Sequence, residues 1–373
     1  MEWSRRWWGI ILRVDGSRAD ESDRTRDDKE ALRWHFMSVA NCFEVIFSSF
    51  DLKFLFKKPP MPHDVSRRSI LQMLALGAVL APVKNSFAQV QPAAAVPPTA
   101  PTTIPPNRIS VAQWSFHRMI KAGDLAPLDF PAFAHKTCGV MGVEYVNSFY
   151  RNLPLDGSWV KELKKRTDDI GVKSVLIMCD GEGDIGDPDD VARRKAVEAH
   201  QRWLDAAVIL GCHSIRVNAR SSGTPVEQLD RCADGLRQLC ARAAPLKLDV
   251  IVENHGGLSC DGEWVASLIR ATGAANSGTL PDFGNFKCAD GTMADRYAGV
   301  KAMMPLARSV SAKSYEFDAL GQETTIDFAR MLGIVRDAGY RGWVGAEYEG
   351  EKASEVVGTI ATRDLLMKQG CIL

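Results

Sequence analysis

From residue 107 onward the chain alternates strand-like and helix-like runs with a regularity that few folds accommodate. Strand-like runs fall at Ile109–Phe116, Gly142–Phe149, Ser174–Cys179, Ser214–Ala219, Asp249–Asn254, Gly278–Asp282, Ser309–Tyr315 and Trp343–Tyr348. Amphipathic stretches lie between them, and the clearest spans Asp187–Leu210. It opens on Asp187-Pro188-Asp189-Asp190, an acidic cap with proline in the first turn, and Gly211 ends it. Eight such alternations over a little more than 260 residues predict an α/β fold, a single-domain (β/α)8 TIM barrel of about the usual 250 residues. The rival, a doubly wound open sheet, needs a glycine-rich phosphate turn after its first strand. Here that strand runs into Gln113-Trp114-Ser115-Phe116-His117, with no such glycines.

A barrel gathers the C-terminal ends of its strands at one mouth, where its chemistry sits. Three carboxylates occupy such ends: Glu253 in Val250-Ile251-Val252-Glu253-Asn254-His255, Asp282 in Pro281-Asp282-Phe283-Gly284-Asn285, and Glu347 in Val344-Gly345-Ala346-Glu347-Tyr348. Hard oxygen ligands converging on one mouth point to a divalent metal, Mn²⁺ or Mg²⁺ ahead of Zn²⁺. His255 lies on the same strand face as Glu253, and Zn²⁺ would suit its coordination. Lys313 shares its strand face with Ser311 and needs the mouth or a carboxylate partner, which gives it an electrostatic or acid–base role beside the metal or a structural ion pair. Arg216 and Asn218 alternate with apolar Ile215, Val217 and Ala219, so the polar pair faces inward, either toward a substrate or as satisfied interior polar groups. Glu144 and Trp114 are further candidates for the substrate pocket.

The segments before the barrel read differently. Residues 66–71, Ser-Arg-Arg-Ser-Ile-Leu, precede the apolar run Ile70–Val83 and a small-residue cleavage site ending at Ala88. This pattern predicts a twin-arginine signal over 61–88, and hence the twin-arginine export machinery as a partner and a bacterial periplasmic or exported location. The apolar run is too short to serve as a stable membrane anchor, which takes about 20 residues. Residues 1–60 read as upstream sequence before Met61 or as a disordered extension, and residues 89–106 as a Pro/Ala-rich linker.

Charge is balanced, with 46 basic and 46 acidic residues, so nucleic acid is an unsuitable partner. An abasic-site endonuclease would need a histidine-rich three-ion cluster and a basic face, and neither is evident. The nine cysteines show no CxxC pair and are expected to be buried free thiols.

Taken together, Gln113–His117, Gly142–Asn147, the Cys179–Gly183 loop, Glu253–Gly257, Asp282–Asn285, Ala312–Tyr315 and Glu347–Gly350 resemble the xylose isomerase-like TIM barrels. The nearer resemblance is to exported proteins of the sugar phosphate isomerase/epimerase type. It implies a divalent ion held by Glu253, Asp282 and Glu347, with Glu253 and Glu347 also exchanging a substrate proton. It implies a histidine ligand on the seventh strand, often within His-x-Lys, where this chain has Ser311-Ala312-Lys313, so water, Ser311 or His255 is left as the fourth ligand. The expected activity is metal-dependent isomerisation or epimerisation of a sugar through an enediolate. The alternatives are a lyase or hydratase on keto-sugars or glycosides, or a non-catalytic sugar-binding barrel. The substrate is a small carbohydrate, and the oligomeric state stays open.

Overall fold

In the computed structural model residues 107–153 and 157–373 are described. The expected leader, linker and upstream extension lie outside them, as does the cleavage site at Ala88. The strands are β1 Arg108–Ala112, β2 Gly142–Val146, β3 Lys173–Cys179, β4 Ser214–Val217, β5 Asp249–Glu253, β6 Ser277–Leu280, β7 Val310–Ser314 and β8 Trp343–Tyr348. All pair in parallel in the order β6-β5-β4-β3-β2-β1-β8-β7. Parallel bridges Thr279↔Ala307 and Asp282↔Ser311 join β6 to the β7 side. The chain is the expected α/β barrel. Among the described residues no helix is long and apolar enough to cross a membrane.

Strand alternation divides the apolar residues into two clusters. Outward residues such as Val111, Tyr145, Ile215, Val217, Val250, Val252, Val310 and Val344 pack under the helices in the large core. Each fully buried aliphatic there contributes about 1.5–3 kcal/mol. A smaller cluster inside the barrel contains Ala112, Val146, Leu176, Met178, Ile251 and Leu280.

Helix boundaries follow their capping chemistry. Thr224 and Glu227 form a reciprocal capping box at the start of Pro225–Ala243. Asp261 caps Gly262–Thr272, and left-handed Gly273 ends it. The single helix expected over Asp187–Leu210 is instead two, Asp190–Ala199 and Gln201–Leu210. The cap is Asp189, which accepts from Ala192 N, while the Asp187 carbonyl accepts from Arg193. The break falls at His200, whose Nδ1 lies 2.7 Å from the Ala196 carbonyl oxygen and competes for the acceptor that would continue the ladder.

The cysteine expectation is corrected at one pair. Cys138, Cys179, Cys212, Cys232, Cys240 and Cys371 are buried free thiols, but Cys260 and Cys288 form a disulfide with Cα atoms 5.2 Å apart. The two cysteines lie in the loops after β5 and β6. These strands are neighbours, so 28 residues of sequence separation close onto one rim.

Candidate active site at the barrel mouth

Strand ends and the turns after them build the site. β5 ends on Glu253, and Asn254 then ties the β5 and β6 ends together. Its Oδ1 accepts from Asp282 N at 2.7 Å, and its Nδ2 donates to the Asp282 carbonyl at 3.0 Å. The Asp282 carboxylate accepts two backbone N–H groups, from Gly284 and Asn285, each at 2.8 Å through Oδ1. Its Oδ2 lies 2.6 Å from the Ser311 hydroxyl on β7, which is also 3.1 Å from Glu347 Oε2 on β8. That hydroxyl has one proton and serves one of the two at a time.

Lys313 is the centre of this half of the mouth. Its Nζ lies 3.2 Å from Glu347 Oε1, 3.4 Å from Glu349 Oε1 and 3.9 Å from Asp282 Oδ2. It donates to Asn285 Oδ1 at 3.1 Å, and Asn285 Nδ2 donates to Glu253 Oε1 at 2.8 Å. Glycine at 284 makes the approach possible, since a Cβ there would stand 2.9 Å from Lys313 Cγ and Cδ. On the other side, Arg216 Nε lies 2.8 Å from Glu253 Oε2, and its Nη1 donates to Asp180 Oδ1 at 2.7 Å. Asn218 Nδ2 donates to the same Asp180 oxygen at 2.7 Å. A continuous chain of charge and hydrogen bonds therefore runs from Asp180 through Arg216, Glu253, Asn285 and Lys313 to Glu347.

Burial sets the electrostatics. It pushes the Glu253 and Asp282 carboxyls up, and crowding with Glu347 adds to this against the pull of Arg216 and Lys313. For Lys313, burial alone would lower the pKa, but Asp282, Glu347 and Glu349 together hold it well above the usual lysine value. Asp180 pays a burial cost that Arg216 and Asn218 more than offset, so its carboxyl stays below the usual range. Burial, then Arg216 and Lys313, keep His255 neutral by lowering its pKa.

Adjoining this cluster, and sharing Gly284 and Asn285 with it, lies a cavity of about 460 Å³ lined also by His255, Lys287, Tyr315, Arg220 and Asp184. The volume is in the range of small-molecule sites. The expected candidates therefore separate. Glu253, Asp282, Glu347, Lys313 and Arg216 converge in the floor, His255 lines the cavity, and Asn218 turns to Asp180. Trp114 lies outside the lining of this cavity. It stacks on His117 with ring centroids 4.6 Å apart, beside Phe149, and Lys121 Nζ sits 4.6 Å over its ring. Glu144 is placed deeper. Its carboxyl packs over Gly345, one inward-facing position below Glu347, and accepts from Ser110 Oγ at 2.6 Å. Burial raises its pKa to about 8. Asp180, Asn285 and Glu349 join the site beyond the residues expected from the sequence. Asp180 and Glu349 directly follow strand ends and Asn285 stands in the loop after β6, the one signal the sequence carries for them.

The divalent ion implied by the resemblance meets a different arrangement. Among the described residues no three His, Cys, Asp or Glu side chains are placed to hold a metal. Glu253 is turned to Arg216 and Asn285, while Asp282 and Glu347 face the Lys313 ammonium and the Ser311 hydroxyl. Ser311 stands where a histidine ligand was implied, and His255 looks into the cavity above. The residues as placed do not fit the ion.

No curated protein matches the chain in sequence. Solved structures resemble it in fold at low identity. L-ribulose 3-epimerase aligns with TM-score 0.56 at 14% identity, over 70% of this chain and 94% of that one. The 3-keto-D-glucoside 4-epimerase of E. coli, solved in its apo form, aligns with TM-score 0.53 at 17% identity, over 65% and 94%. The IolI protein, solved with a bound zinc atom, aligns with TM-score 0.56 at 13% identity, over 70% and 96%. The model of the xylose isomerase-like TIM barrel family matches residues 132–369, and the chain belongs to that family.

Proposed function

We propose that the protein is an isomerase or epimerase of a small sugar or sugar derivative, acting by proton exchange next to a carbonyl. The observation that carries this reading is the relay Glu253–Asn285–Lys313–Glu347, which sets two carboxyl groups on either side of an amide and an ammonium. One carboxylate takes the proton from the carbon beside the carbonyl. The C–H electron pair becomes the C=C bond of an enediolate, and the carbonyl π pair moves onto oxygen. Lys313 and Arg216 are the cations placed near that oxygen's charge, in a buried setting where such stabilisation is strong. The other carboxyl group returns a proton, to the opposite face for epimerisation or, after the hydroxyl proton shifts, to the neighbouring carbon for isomerisation. Burial, opposed by Arg216 and aided by crowding with Glu347, raises the Glu253 carboxyl toward a range suited to both taking and returning a proton. His255, Tyr315 and Asn285 offer hydrogen bonds to sugar hydroxyls in the cavity.

The names of the structurally similar epimerases support the substrate class, and the cavity volume suits a mono- or disaccharide. The test is incubation in deuterated water with a panel of aldoses, ketoses and keto-glycosides. Deuterium at the carbon beside the carbonyl, with a new epimer or isomer, is the expected outcome. Loss of a β-substituent would instead identify the lyase chemistry of the same enediolate. No exchange with any member would refute the proposal for those substrates.

Export belongs to the same reading. The twin-arginine pattern at Arg67-Arg68 supports it, and the Cys260–Cys288 disulfide suits an oxidising compartment. Replacing both arginines with lysine is expected to leave the precursor in the cytoplasm, as read by cell fractionation. Normal export of that variant would contradict this part.

A further inference from the structure

We infer that the ammonium of Lys313 is the permanent counter-ion of Asp282 and Glu347, taking the place where the family implies a divalent metal. The inference deepens the proposed function, since it names the cation of the same site, but its test does not depend on turnover.

Four observations converge on it. Lys313 Nζ lies within 4 Å of carboxylate oxygens from Asp282, Glu347 and Glu349, so a second cation bridging Asp282 and Glu347 would face it at short range. The side chain is buried and threaded, with its stem against Gly284 and its Nζ donating to Asn285 Oδ1 at 3.1 Å. It is therefore a built part of the floor rather than a surface lysine that happens to reach it. Ser311 supplies a hydroxyl 2.6 Å from Asp282 Oδ2, a neutral donor that satisfies a carboxylate and adds no ligand nitrogen. The third carboxylate of the expected trio, Glu253, is answered by a different cation, Arg216, at 2.8 Å, and by Asn285 Nδ2 at 2.8 Å. The acidic mouth thus meets cations from within the chain, guanidinium on one side and ammonium on the other.

This arrangement has a consequence that a metal-dependent site would not share. Removing the ammonium leaves Asp282, Glu347 and Glu349 without their cation and opens the space beside them, so an external cation gains a place. Lys313→Met keeps much of the stem's apolar volume and removes the charge together with the hydrogen bond to Asn285. The variant is expected to acquire the metal affinity that the wild-type chain lacks.

The experiment uses the full chain, incubated separately with Mn²⁺, Mg²⁺ and Zn²⁺, freed of unbound ion and measured by elemental analysis, with thermal melts in chelator and in each metal. Wild type is expected to retain less than roughly 0.1 equivalent at this site, with no metal-dependent change in melting. Lys313→Met is expected to retain about one equivalent of at least one ion and to melt higher in its presence. If Lys313→Met does not fold alone, recovery of folded protein on adding that ion is the same result. About one equivalent in wild type that disappears in Glu347→Gln would overturn the inference. So would the absence of any gain or rescue in both Lys313→Met and Lys313→Gln. One equivalent in wild type that survives Glu347→Gln but disappears in Asp282→Asn would overturn it as well.

Discussion

The two sides of the barrel interior solve the same problem in opposite ways. On the β1–β3 side the apolar inward residues are Ala112, Val146, Leu176 and Met178, joined by Ile251 and Leu280 from across the barrel, with Glu144 and Ser110 as a polar pair among them. Here burial is itself the stabilising term, non-directional and tolerant of small shifts. On the side from β4 to β8 the inward groups at the mouth are Arg216, Glu253, Asp282, Ser311, Lys313 and Glu347, all buried. That side holds only if each charge keeps its partner, because a buried pair is costly to break and contributes little beyond its replacement by apolar groups. The difference teaches where function was placed. A fold seeking stability alone would extend the apolar side around the barrel, so the ionic side is retained for what it does.

The largest expected effect comes from breaking the ionic side at its centre. Without added metal, Lys313→Met is expected to destabilise the protein by about 3–5 kcal/mol, since three carboxylates lose their buried cation. Urea titration measures it, and a loss under about 1 kcal/mol would mean the carboxylates do not depend on Lys313. Leu176→Ala, the counterpart in the apolar side, is expected to cost about 2–4 kcal/mol through cavity formation, with little change across salt concentration. Salt dependence equal to that of the Lys313 variant would erase the contrast between the two sides.

The rim offers a smaller handle. Cys260–Cys288 ties the loop after β5 to the loop after β6, and both loops line the cavity. Cys260→Ser is expected to lower stability by about 2–4 kcal/mol and to weaken substrate binding more than it slows a bound turnover. Unchanged melting of the variant under oxidising conditions would show that the disulfide does not support this rim.

Glu144 sits at the border of the two sides and gives the smallest and most diagnostic effect. Ser110, Glu347, Glu253 and Arg216 are the groups that act on it, and burial raises its pKa from 4.5 to about 8. Below the unfolded value the acid is neutral in both states, and the stability it contributes is fully present. As pH rises the unfolded chain ionises first while the folded chain does not, so stability is lost up to about pH 8 and levels off above it. Glu144→Gln is expected to flatten this fall, so that its stability relative to wild type rises steadily between pH 5 and 8. Parallel pH profiles for the two proteins would show that the group titrates normally.

The barrel and the three strand-end carboxylates were legible because both depend on period and position. Alternation places Glu253 and Glu347 inward, and the glycine turns after them mark the mouth. Their partners were not legible in the same way. Asn285 and Glu349 stand in loops after strand ends, where no period says which way a side chain turns. Ser311 and Lys313 could be assigned to one face, but whether the lysine attends a metal or occupies its place depends on distances of a few ångströms. The Cys260–Cys288 pair was hidden because it joins two loops that only the barrel's neighbour relations bring together. The split of Asp187–Leu210 turned on His200 reaching one carbonyl, which a smooth amphipathic pattern conceals.

The central claim is that Glu253 and Glu347 exchange a substrate's carbon-bound proton from two sides of one site. Deuterium incorporation into a substrate that turns over, followed by mass spectrometry for wild type, Glu253→Gln and Glu347→Gln, addresses it directly. Each Gln variant is expected to lose product formation by about 100-fold or more, while one of them still exchanges the substrate's own proton through the remaining carboxylate. Product formation at the wild-type rate in either folded variant would contradict the account.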